Sequence, residues 1–172
     1  VIWRLAVNTF VIILTILINF TLETTIIPYF RVFQVVPNTA LIIVVVLAIL
    51  NGKTMGAIVG LIVGLLQDIM FSPVLGINSF IYFFIGYLVG IAETKLSKDN
   101  ILLPILMTLL TTFGYHLTYY FFMYFFNYTT SLLRLLKDVV LIEGIYNIIV
   151  SVPVFKLLSK LFVAPTIRFG KK

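Results

Sequence analysis

Apolar residues run along this chain in six blocks, at positions 5–22, 37–50, 54–71, 77–92, 101–126 and 140–162. Turn-forming or charged residues separate them: Pro28 and Pro37, Asn51-Gly52, Ser72-Pro73 with Gly76, and Asp99-Asn100. Several blocks reach the roughly 20 residues that cross a hydrocarbon core about 30 Å thick. The pattern predicts one all-α domain over residues 1–172, a polytopic membrane protein of six transmembrane helices. Block 37–50 is the short member. At 1.5 Å per residue it covers about 21 Å, so a re-entrant segment in a five-span chain is the alternative. Past the fifth block, residues 131–139 set four leucines beside Arg134, Lys137 and Asp138. They predict a short amphipathic helix on the outer surface, capped by Ser131.

Composition strengthens the membrane reading. Hydrophobic residues make up 62% of the chain and charged ones 10%, and mean hydropathy is +1.18. That leaves too little polarity to cover a soluble domain. The net charge of +6 is no nucleic-acid signal, because the basic residues are scattered until the tail 165–172. There Arg168, Lys171 and Lys172 suit anionic lipid headgroups. Six spans with the N-terminus inside put those three, Arg4, Lys53, Lys95, Lys98, Lys156 and Lys160 in the cytoplasm. Arg31, Arg134 and Lys137 fall outside, as the positive-inside rule requires. A five-span chain exchanges Arg4 for Arg31 and scores equally. We prefer six spans in the plasma membrane, with both termini cytoplasmic. Arg4 ahead of a long apolar run, with no small-residue cleavage site, reads as a retained first span. Aromatics from Tyr119 to Tyr128 crowd the outer end of block five as an interfacial belt does. The chain has no cysteine, which excludes disulfides and thiolate metal sites.

Candidate chemistry centres on block three. Gly56, Gly60, Gly64 and Asp68 follow one another at four-residue spacing and share one helix face. Small-xxx-small spacing lets helix backbones approach closely in lipid. Gly86 and Gly90 repeat the spacing in block four, so these two blocks are candidates to pack together. A partner helix or a second copy of the chain is the alternative occupant. A carboxylate within a membrane segment points to function by default. At 1.5 Å per residue, Asp68 and His116 both lie about 22 Å from the cytoplasmic side. Gln67, Asn78, Glu143 and Asn147 reach the same outer third. Three readings stand: a structural network that pins helix register, an outward cavity facing a ligand or partner, and a metal or proton-relay site on Asp68, His116 and Glu143. The last lacks the local spacing of a recognised metal motif, so neither metal nor cofactor is expected. No nucleophile–base pair or phosphate-binding glycine loop occurs, and no enzyme is read. Pro153 should kink block six and free a carbonyl near Ile149.

The stretch from Gly60 through Gly64, Asp68 and Ser72-Pro73 to Gly76 closely resembles the central signature of the bacterial rod shape-determining MreD family. Pro37-Asn38 is similar to that family's entry into its second helix, and Asn147 with Pro153 to its last-helix pattern. Glu143 has no counterpart in the family pattern. The resemblance covers nearly the whole chain. It implies a non-catalytic scaffold subunit of the cell-elongation complex that binds a single-span MreC-like partner and supports peptidoglycan synthesis and cell shape. MreB filaments and a RodA–penicillin-binding transpeptidase synthase would be indirect partners. It also implies a fold like the six-helix substrate-binding subunits of energy-coupling-factor transporters. A solute-binding subunit of a vitamin transporter is therefore the rival reading. The Ala-xxx-Ala docking motif common in those subunits is missing here, which counts against the rival.

Overall fold

The fold is built around a helix arm with no polar side. Residues 40–49 read ALIIVVVLAI, and a helix that is apolar all round must be enclosed by protein or lipid. Here protein encloses it: from Ala40 to Ile49 no residue is more than 6% exposed. The computed structural model describes residues 2–31, 33–93, 101–127 and 139–162, the side chains of residues 2–8 and 93 excepted. It is all-helical, with no strand among the described residues. In chain order come α1 (Ile2–Thr25), a 3-10 turn (Ile27–Phe30), α2 (Thr39–Phe71), α3 (Ile77–Glu93), α4 (Leu102–Phe125) and α5 (Leu141–Phe162). Residues 131–138 of the amphipathic stretch expected at 131–139, and the basic tail 165–172, lie outside the described residues.

Blocks two and three, expected as separate spans, fall within the single helix α2. It breaks only at Gly52, whose φ of 82° and ψ of −179° are not helical. Glycine reaches that conformation without steric cost, so the chain reverses with no loop. The reversal shows in the packing: a Cβ built on Gly56 would lie 2.7 Å from the Ala48 Cβ. In an unbroken helix, residues eight apart stand about 12 Å apart along the axis. By length and composition, α2 and α5 are the two described helices able to cross a membrane, while Thr9–Thr25 and Ile77–Ala92 are apolar but shorter. Because α2 folds back, its 33 residues divide into an arm of about 20 Å (39–51) and one of about 28 Å (53–71).

α2 packs against all four of the other described helices. Its buried first arm is joined in the core by Ile12 and Ile16 of α1, Val59 and Val63 of its own second arm, Tyr82 and Val89 of α3, Leu103 of α4 and Phe155 of α5. The outer helices turn apolar side chains outward. Phe10, Leu17 and Ile18 on α1 are more than half exposed, as are Leu141, Ile145, Ile149, Leu157 and Leu161 at near four-residue spacing on α5. Pro153 lies within α5 without interrupting it, and the Ser151 hydroxyl donates to the nearby Ile148 carbonyl at 2.8 Å.

Candidate functional site

The glycine stripe is spent inside the chain. A Cβ on Gly56 would lie 2.4 Å from the Gly86 carbonyl oxygen, one on Gly60 2.1 Å from the Tyr82 oxygen, and one on Gly64 2.4 Å from the Ser79 Cα. From the other side, a Cβ on Gly86 would meet the Gly56 oxygen and one on Gly90 the Lys53 Cα, at 2.0 and 2.4 Å. All these neighbours are backbone, so the second arm of α2 and α3 touch main chain to main chain. The stripe is closed by α3, and no further helix can lie along it.

Asp68 continues the stripe and performs a structural task. It is 1% exposed. Its Oδ1 accepts the Asn78 N–H at 2.9 Å, and its Oδ2 accepts the Ser79 N–H at 2.9 Å and the Ser79 hydroxyl at 2.5 Å. These are orphan amides of the first turn of α3, where the helix dipole favours negative charge. Gly76, with φ 99°, turns the chain just before α3 and brings no capping side chain, so a carboxylate from the neighbouring helix supplies the cap.

The remaining polar residues gather at this same end of the bundle and join every helix. Asn38 caps α2 by accepting the Leu41 N–H at 2.9 Å, and its side-chain oxygen also accepts the Tyr82 hydroxyl at 3.0 Å. The Asn38 N–H donates to the Asn147 side chain at 2.8 Å, and Asn147 donates in turn to Thr112 at 2.9 Å and to Glu143 at 3.3 Å. His116 Nε2 stands 2.8 Å from the other Glu143 oxygen. Asn78 accepts the Tyr115 hydroxyl at 2.8 Å. Helix α1 enters through Glu23, which accepts Gln67 Nε2 at 2.7 Å.

Beside this network opens a cavity of about 310 Å³. Glu23, Asn38, Gln67, Tyr82, Tyr115, His116 and Glu143 line it, with Ile27, Val36 and Phe71 as apolar wall and Arg31 at an exposed edge. Of the six residues expected around an outer cavity, Gln67, His116 and Glu143 face it; Asp68, Asn78 and Asn147 are not among its lining residues. Glu23 is the residue that sequence reasoning missed. At the end of an apolar block it looks like an interfacial charge, and its only signal was the i,i+4 pairing with Asn19, whose amide lies 3.5 Å away. Among the described residues, no group of three or more His, Asp or Glu is placed to hold a metal ion.

A family model described as the rod shape-determining protein MreD matches residues 4–161 of the chain. No curated protein and no solved structure matches significantly.

Proposed function

The chain belongs to the MreD family of rod shape-determining proteins, and from that premise we propose that it is a non-catalytic membrane scaffold subunit of the cell-elongation complex. In this reading it holds the transmembrane helix of an MreC-like partner and so couples peptidoglycan synthesis to cell shape. RodA–transpeptidase synthases and MreB filaments act through that partner. The observation that carries the reading is the family match over almost the entire chain, which ties an apolar helical bundle to rod shape. Because α3 fills the glycine stripe, the partner's seat lies on an outward apolar face such as that of α1 or α5. Co-purification in mild detergent tests it: a tagged chain should retain the MreC-like protein, and repeated failure to do so would refute the scaffold role.

The fold-back at Gly52 supports six passes through the membrane with both termini in the cytoplasm and the polar end outside. It reverses the chain between Asn38, which bonds Asn147, and Lys53, which lies against Gly90. The cavity keeps a solute-binding role as the second reading. A vitamin that survives purification with the chain would favour it.

A further inference from the structure

Hydrogen-bond bookkeeping around the cavity leaves an excess of acceptors. Glu23 is bonded through Oε2 alone, to Gln67 and Asn19, and its Oε1 takes no hydrogen bond among the described residues. Gln67 donates through Nε2, and its Oε1 accepts nothing among them. His116 is 8% exposed and is bonded only through Nε2, to Glu143. Its Nδ1 takes no hydrogen bond among the described residues, and in the tautomer that donates Nε2–H to Glu143 it presents a lone pair. On the donor side stand the Asn38 amide, with no acceptor for its Nδ2 among the described residues, and the rim residue Arg31. Among the described residues, two carboxylates therefore line a small space at the end of an apolar bundle, against one exposed guanidinium.

We propose that this cavity binds a primary ammonium group carried on a short apolar stem, with Glu23 and Glu143 as its anionic acceptors. Burial of carboxylates is costly unless a positive charge or enough donors meet them. The acceptors come from four different helix segments, with Glu23 on α1, Gln67 on α2, His116 on α4 and Glu143 on α5. Acceptors arriving from around a space suit the three diverging N–H donors of an ammonium better than the flat fork of a guanidinium. Tyr82 and Tyr115 also line the space, and aromatic rings attract a cation. The space of about 310 Å³ far exceeds the roughly 30 Å³ share of one water, and Ile27, Val36 and Phe71 take the stem. A lysine side chain of a polypeptide and a free aliphatic amine carry this same chemistry. The assignment rests on the cavity alone, so it survives or fails independently of the scaffold role.

The test uses the purified full chain in lipid nanodiscs without any partner. n-Butylammonium should raise the thermal unfolding midpoint saturably, and n-butanol at the same concentration should not. Glu23→Gln should weaken butylammonium binding about tenfold or more, as loss of a charge-assisted hydrogen bond implies, whereas Arg31→Gln should not weaken it. Saturation-transfer NMR on the unmutated chain keeps the test decisive if the variant misfolds. There the butylammonium signal should be displaced by 1,5-diaminopentane and not by butyrate. Tighter binding of N-acetyl-lysine amide than of the diamine would identify a polypeptide side chain as the source, and the reverse order a free amine. Equal response to butylammonium and butanol, displacement by butyrate, or undiminished binding in a folded Glu23→Gln chain would each overturn the proposal.

Discussion

Replacing Gly60 with alanine adds one methyl group where there is no room for it. The new Cβ would lie 2.1 Å from the Tyr82 carbonyl oxygen and 2.6 Å from its carbon. Both atoms are backbone, so no rotamer change relieves the overlap. Reaching ordinary contact near 3.4 Å means parting α3 from the second arm of α2 by about 1.3 Å. A radial gap of about 0.5–1 Å already forfeits a quarter to a half of each van der Waals contact it opens. A rigid parting also carries the 2.9 Å bonds from the α3 amides to Asp68 beyond hydrogen-bond range. Overpacking costs about 1–3 kcal/mol, and a lost bond to a buried charge about 1.5–3 kcal/mol. We therefore expect Gly60→Ala to destabilise the chain by about 3 kcal/mol or more. Gly114 is the matched control, since a Cβ there meets nothing within 4 Å. Gly114→Ala should be neutral or stabilise by up to about 1 kcal/mol through helix propensity. Unfolding by sodium dodecyl sulfate in mixed micelles, followed by helical circular dichroism, measures both. Should the two variants unfold within about 1 kcal/mol of one another, the backbone contact between α2 and α3 is not what holds the pair together.

Three further outcomes follow from the polar end. Asp68→Asn should cost about 1–3 kcal/mol in the same unfolding assay, because one capping oxygen becomes an amide that cannot accept an α3 N–H. The costs of His116→Ala and Glu143→Ala should sum to more than the double variant loses, since removing one member strands the other without its 2.8 Å partner; a double-mutant cycle should return at least about 1 kcal/mol of coupling. The chain contains no cysteine, so single cysteines at Arg31 and Lys53 report topology without background. In intact cells an impermeant maleimide should label the first and spare the second. Labelling of Lys53→Cys, or of neither, contradicts six passes.

The helices were legible because long apolar runs and breaker residues mark them in lipid as clearly as amphipathic periodicity does in water. Their relative placement was legible only where glycines repeated: Gly56, Gly60 and Gly64 on the second arm of α2, and Gly86 and Gly90 on the α3 packed against it. The partner of Asp68 was hidden, since it lies ten residues on, across a turn. Yet α3 begins after Gly76 with no Ser, Thr, Asp or Asn at its N-cap, and that uncapped start was the clue. An outward cavity was among the readings, but part of its lining escaped for another reason. Glu23 and Asn38 sit at block ends, where a polar residue normally meets headgroups or water. Only the three-dimensional convergence of α1 and α2 turns them inward. Asn51-Gly52 was visible as a breaker, but a sharp reversal and a loop look alike in one dimension.

The buried arm of α2 also bears on how the protein sits in its bilayer. A segment of about 20 Å would ordinarily pinch the surrounding lipid or tilt to suit it. Residues 40–49 are sheathed by neighbouring helices, so acyl chains never gauge their length. The outer helices alone register membrane thickness, and the axle they turn around is free to stay short, rigid and indifferent to the lipid composition outside.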